Sequence, residues 1–74
     1  MTDLKFNTER EKYYIEEDGK IIYLSCGTRV NCISFGEIKE GIIEYAKTIN
    51  KGYYLMLDNG NYIPMFAIKQ LEIL

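Results

Sequence analysis

Two tight reversals limit what this chain can fold into. Asp18-Gly19 separates Lys12-Tyr13-Tyr14-Ile15-Glu16-Glu17 from Lys20-Ile21-Ile22-Tyr23-Leu24-Ser25. Asp58-Asn59-Gly60-Asn61 separates Tyr53-Tyr54-Leu55-Met56-Leu57 from Tyr62-Ile63-Pro64. Asp, Asn and Gly accept the positive φ of tight hairpin turns, and the flanking runs are rich in Tyr, Ile and Leu, which favour strands. The chain is therefore committed to antiparallel ribbons. Arg29-Val30-Asn31-Cys32-Ile33 alternates, with Val30 on one face and Asn31 and Ile33 on the other, as a half-buried strand does. Pro64 keeps its strand short, because proline cannot donate to a central ladder. Met65-Phe66-Ala67-Ile68 suits one turn of 3₁₀ helix, and Gln70-Leu71-Glu72-Ile73-Leu74 alternates again as a closing strand.

Residues 34–50 admit two readings. Ser34 and Glu37 fit a capping box, and Phe35, Ile38, Ile42, Tyr45 and Ile49 recur at helical spacing. Gly36, Gly41 and the adjacent Ile42-Ile43 favour instead a turn at Phe35-Gly36-Glu37 and a strand over 38–47. Asn50-Lys51-Gly52 reads as a turn. Polar residues 1–11 read as a flexible lead-in, and residues 12–74 as one domain. The expected fold is mostly β, about five to seven short antiparallel strands that curl to avoid exposed edges. The closing order of strand, hairpin, short strand, 3₁₀ turn and final strand resembles the small SH3-like β-barrel.

Composition narrows the chemistry. The 74 residues include no histidine, so histidine-assisted serine or cysteine nucleophiles are excluded. Cys26 and Cys32 are too few for a zinc site and read as buried, reduced filler; no metal and no cofactor is expected. Nine Lys and Arg stand against 11 Asp and Glu, which argues against sequence-independent coating of nucleic acid. A small anionic ligand needs only one or two arginines and stays open. The start lacks the pattern of a signal peptide, and no apolar run reaches the roughly 18 residues of a membrane span. A cytoplasmic location is expected, with no membrane partner.

Leu24-Ser25-Cys26-Gly27, Ile43-Glu44-Tyr45, Gly52-Tyr53-Tyr54-Leu55 and the short closing strand resemble a family of small proteins from phages and mobile elements of Gram-positive bacteria, known as a domain of unknown function. That family has His where Ser25 stands, and tryptophans that this chain lacks. The resemblance implies an accessory protein acting inside a bacterial host cell, of a kind that often blocks host defence.

The binding candidates are drawn from outward tyrosines, one arginine and two turn asparagines. In a strand, adjacent side chains face opposite ways, so one of Tyr13 and Tyr14 and one of Tyr53 and Tyr54 must face out. Tyr14, Tyr23 and Tyr54 offer rigid faces and hydroxyls for contact or base stacking. Arg29 is placed to grip a carboxylate or phosphate, or else to pair with a nearby Glu. Asn59 and Asn61 either form the turn around Gly60 or read a base edge. These residues suit a non-enzymatic binding module that inhibits host defence by occupying a host protein or sequestering a small nucleotide. The rival readings are a sequence-selective nucleic-acid-binding barrel and a structural subunit of a virion or plasmid complex. A chain this small gains stability by pairing, so a homo-oligomer is expected.

Overall fold

The computed structural model of the chain describes residues 1–48 and 52–74. It is all-β, with nine strands among the described residues: β1 (Thr2–Asp3), β2 (Lys5–Asn7), β3 (Lys12–Glu17), β4 (Lys20–Tyr23), β5 (Arg29–Ser34), β6 (Glu37–Tyr45), β7 (Tyr53–Leu57), β8 (Tyr62–Pro64) and β9 (Ile68–Ile73). A 3₁₀ turn, Met65–Ala67, joins β8 to β9 as the sequence predicts. The strands form two antiparallel sheets, a six-stranded one in the order β1-β9-β5-β6-β7-β8 and a three-stranded ribbon in the order β2-β3-β4.

One stretch of chain belongs to both sheets. Thr2 and Asp3 pair with Leu71 and Gln70 of β9, whereas Lys5, Phe6 and Asn7 pair with Tyr14, Tyr13 and Lys12 of β3. Leu4 sits at the corner between them, its amide donating to the Lys69 carbonyl at 2.9 Å. Residues 1–11 are thus no lead-in outside the domain: they supply β1 and β2. A strand that bends from one sheet to the other is how stacked sheets make a corner.

The ladders do not close into one cylinder. β4 and β8 stand at the ends of their sheets. Both are short, and Pro64 in β8 has no N–H to offer a neighbour. Hydrophobic burial therefore joins the two layers where hydrogen bonds do not. Tyr13, Ile15 and Leu24, at the ribbon, share one buried cluster with Val30, Cys32, Ile43, Leu55, Met65, Ile68 and Leu71. Ser34, the buried polar member of the interior, donates its hydroxyl to the Ala67 carbonyl at 3.0 Å and pins the 3₁₀ turn to β5.

The ambiguous stretch is a strand. Glu37–Tyr45 pairs with β5 on one side and β7 on the other, so the helix over 35–50 is not formed. Gly41 shows why a helical face was never required here. It lies buried beneath β7, and a Cβ there would run into the Met56 carbonyl and stand 2.9 Å from Leu55 Cγ. The turn expected at residues 50–52 falls mostly outside the described residues, as does Ile49.

The hairpins follow their turn chemistry. Asp18 and Gly19 both have positive φ, 51° and 77°, as a type I′ turn demands. The second uses a three-residue loop: Gly60 N–H donates to the Leu57 carbonyl, Leu57 N–H donates to the Asn61 carbonyl, and only Gly60 is left-handed, at 88°. Phe35 and Gly36 make a further reversal between β5 and β6, again with both φ positive.

Of the two cysteines, Cys32 is buried as expected, and Cys26 is exposed on the loop after β4. Backbone hydrogen bonds tie that loop to β6, from Gly27 N–H to Ile43 O and from Ile43 N–H to Thr28 O, and leave the Cys26 side chain on the surface. Among the described residues no helix is long and apolar enough to cross a membrane.

Burial raises two acids above their ordinary values. Desolvation lifts the Tyr13 phenol above 10.0 and the Cys32 thiol above 9.0, the latter partly offset by the Lys39 amide and charge. The folded chain keeps these protons to higher pH than the unfolded chain does. Their contribution to stability is complete below about pH 9 and is lost as pH rises through 9 and 10. Urea unfolding should therefore show a falling midpoint over that range. The paired variant Tyr13→Phe, Cys32→Ala should show a shallower fall, and an equal slope would remove this account.

Candidate functional site

The seven tyrosines all lie in strands, and alternation sorts them as predicted. Tyr13 points into the core, whereas Tyr14 lies on the outer face of the ribbon, directly across from Tyr23. Their rings are 5.7 Å apart. Tyr53 turns inward toward Tyr13, at 6.2 Å, and Tyr54 lies on the outer face of the large sheet beside Tyr62, at 5.6 Å.

The structure gives Arg29 the ordinary role. Its guanidinium donates to Glu40 at 2.8 Å and stands 3.8 Å from Asp58. Exposed pairs of this kind contribute about 0–1 kcal/mol and hold the cation in place. Asn59 is likewise a turn former: its side-chain oxygen accepts from the Asn61 amide at 3.0 Å, and both residues are exposed at the hairpin tip. Arg29, Asn59, Asn61 and Tyr54 do not meet Tyr14 and Tyr23, which belong to the other sheet.

A different set of residues converges. The turn between β2 and β3 and the ends of β6 and β7 enclose an open cleft of about 890 Å³. From one side come Phe6, Thr8, Arg10, Glu11 and Lys12; from the other come Tyr45, Lys47, Gly52 and Tyr53. The chain carries a net charge of −2, yet this cleft is lined by three cations and one carboxylate. Among the described residues Arg10, Lys12 and Lys47 form no salt bridge, unlike Lys5, Arg29 and Lys39.

Asn7 builds the first wall. Its side-chain oxygen accepts from the Glu9 and Arg10 amides at 3.0 and 3.1 Å, folding residues 8–11 into a compact turn. Its side-chain amide donates to the Tyr23 hydroxyl at 3.1 Å, which fixes that turn against β4. Arg10 then lies with its guanidinium carbon 5.2 Å from the Tyr23 ring centre, a cation–π arrangement that leaves the donor edge available. Glu11 closes the turn in a left-handed conformation, φ 53°.

Gly52 builds the second wall. Its carbonyl accepts from the Ala46 amide at 2.7 Å, drawing the ends of β6 and β7 together. Its φ is 77°, and the Tyr45 ring lies where a Cβ would be. Tyr45 thereby stacks edge-on against Tyr53, centres 5.0 Å apart. Tyr53 carries the ring contacts from the cleft to Tyr13 in the core, and Phe6, which also lines the cleft, packs on Tyr13.

Sequence reasoning missed most of this wall. Arg10 stood out only as one of two arginines, and Asn7, Lys12, Tyr45, Lys47 and Gly52 were not singled out as site residues. The available signals were local: Asn7 three residues before Arg10, which is an Asx-turn spacing, and a glycine beside an aromatic pair at Gly52-Tyr53-Tyr54. A second exposed feature lies away from the cleft, on the β5–β6 reversal, where Phe35 is 91% exposed at φ 51° and Phe66 of the 3₁₀ turn is 76% exposed. Among the described residues no cluster of His, Cys, Asp and Glu could hold a metal ion.

The fit of Tyr45 over Gly52 can be tested by stability. Gly52→Ala should cost about 3 kcal/mol, from overpacking and positive φ together. In a Tyr45→Ala background the same change should cost only the backbone strain of about 1 kcal/mol. Equal costs in both backgrounds, measured by urea unfolding, would show that the ring does not rest on Gly52.

Compared with family models, curated proteins and solved structures, the chain matches none of them.

Proposed function

We propose that the protein is a non-enzymatic binding module that sequesters a small nucleotide in the cleft between the β2–β3 turn and the ends of β6 and β7. The observation that carries this reading is the gathering, among the described residues, of three cations free of salt bridges and three aromatic rings into one cleft of an acidic chain. Phosphate asks for charge-assisted donors, and Arg10, Lys12 and Lys47 offer them without first breaking an ion pair. A planar base asks for an aromatic face, and Tyr45 and Tyr53 present one at the same opening. Glu11 and Thr8 offer an acceptor and a hydroxyl for ribose or base edges. In the setting implied by the family resemblance, such a module would act in a bacterial host by withdrawing a nucleotide signal from a defence response.

Net charge bears on the choice among ligands. Elsewhere on the chain acidic groups outnumber basic ones, so a long polyanion would meet repulsion beyond the cleft, whereas a short one would not.

Isothermal titration with the four ribonucleoside monophosphates, the parent nucleosides and inorganic phosphate tests the proposal. At least one monophosphate should bind more tightly than its nucleoside. Arg10→Ala and Lys12→Ala should each weaken that binding about tenfold. At a hundred times its dissociation constant the ligand should add about 2.7 kcal/mol to stability. Absence of binding by every monophosphate would overturn the reading.

A further inference from the structure

Arg10 faces two aromatic platforms. On one side it lines the cleft with Tyr45 and Tyr53. On the other its guanidinium lies over Tyr23, whose ring is paired with Tyr14 on the outer face of the ribbon. Both platforms sit at the same end of the molecule. Tyr23 is the last residue of β4 and pairs with Tyr14, near the start of β3, immediately after the turn that carries Arg10. Asn7 locks the arrangement from beneath by bonding the turn and the Tyr23 hydroxyl with one side chain.

Building on the nucleotide reading of the cleft, we infer that the ligand is a dinucleotide. One base occupies the Tyr45–Tyr53 cleft, the phosphate bridge crosses Arg10 and Lys12 at the rim, and the second base stacks on Tyr14, beside the Tyr23 ring that Arg10 covers. A mononucleotide fills the cleft and leaves the outer platform unused. Tyr14 is half-buried on the outer face and is not enclosed in the core. The outer face also carries Lys5 and Lys12 across from Tyr14 and Asn7, and Glu16 is engaged by Lys5 at 3.3 Å.

The test compares the best-binding ribonucleoside monophosphate with its linear 5′-phosphorylated homodinucleotide by isothermal titration. The dinucleotide should bind about tenfold more tightly, the gain expected from one stacked base. Tyr14→Ala should abolish that gain while leaving the monophosphate affinity unchanged, which also shows that the variant is folded. Tyr14→Phe, which keeps the ring and drops the hydroxyl, should retain most of the gain. Equal affinities for the two ligands, or a gain that survives Tyr14→Ala, would overturn the inference and leave the cleft as a mononucleotide site. Failure of both ligands to bind would remove the underlying reading as well.

Discussion

Everything in this molecule rests on the burial of the ribbon against the large sheet. Ile15 and Leu24 contribute the ribbon's aliphatic anchors, and Ile43, Leu55 and Leu71 lie in the same fully buried cluster. Each such side chain stabilises by about 1.5–3 kcal/mol relative to an exposed one. A three-stranded ribbon stands at the lower limit of independent stability, and among the described residues backbone hydrogen bonds join it to its partner sheet only at the Leu4 corner and the loop after β4. The core contact therefore does what barrel closure would otherwise do. It also sets where the β2–β3 turn lies relative to the ends of β6 and β7, and hence whether a cleft exists at all.

The cleft continues that core outward. Phe6, Tyr13, Tyr53 and Tyr45 touch in sequence, with ring centres 4.7, 6.2 and 5.0 Å apart. The innermost members are packed and the outermost is half open. Edge-on ring contacts restrict rotation, so the aromatic wall is held in place before any ligand arrives. The cationic wall is held differently, by the hydrogen bonds of Asn7. Binding to such a site gives up less side-chain entropy than binding to free lysines and tyrosines on a flat surface.

What could be read in the sequence was local. The reversals at Gly19 and Gly60, the 3₁₀ turn at Met65 and the opposite facing of Tyr13 and Tyr14 each depend on a few neighbouring residues, and each is present. Residues 34–45 stay open between helix and strand in the sequence because isoleucines spaced by four fall on one face of a helix as well as one face of a strand. Ser34 and Glu37, which mimic a helix cap, are engaged elsewhere, with the Ala67 carbonyl and Lys39. Residues 1–11 look dispensable because β1 and β2 are so short that each shows no periodicity. The cleft was illegible for a topological reason: its walls come from residues 6–12 and 45–53, and only sheet pairing and core packing bring those segments together.

The pairing of Thr2 with Leu71 has a temporal consequence. The first strand and the last are neighbours, so the six-stranded sheet stays incomplete until the closing residues have cleared the ribosome. The strands translated early must wait with their apolar faces uncovered, and long-range pairings of this kind are slow to form. Native structure then waits for β9 to emerge, and a nascent chain stalled before β9 would carry neither the corner at Leu4 nor a settled home for the strands beside it.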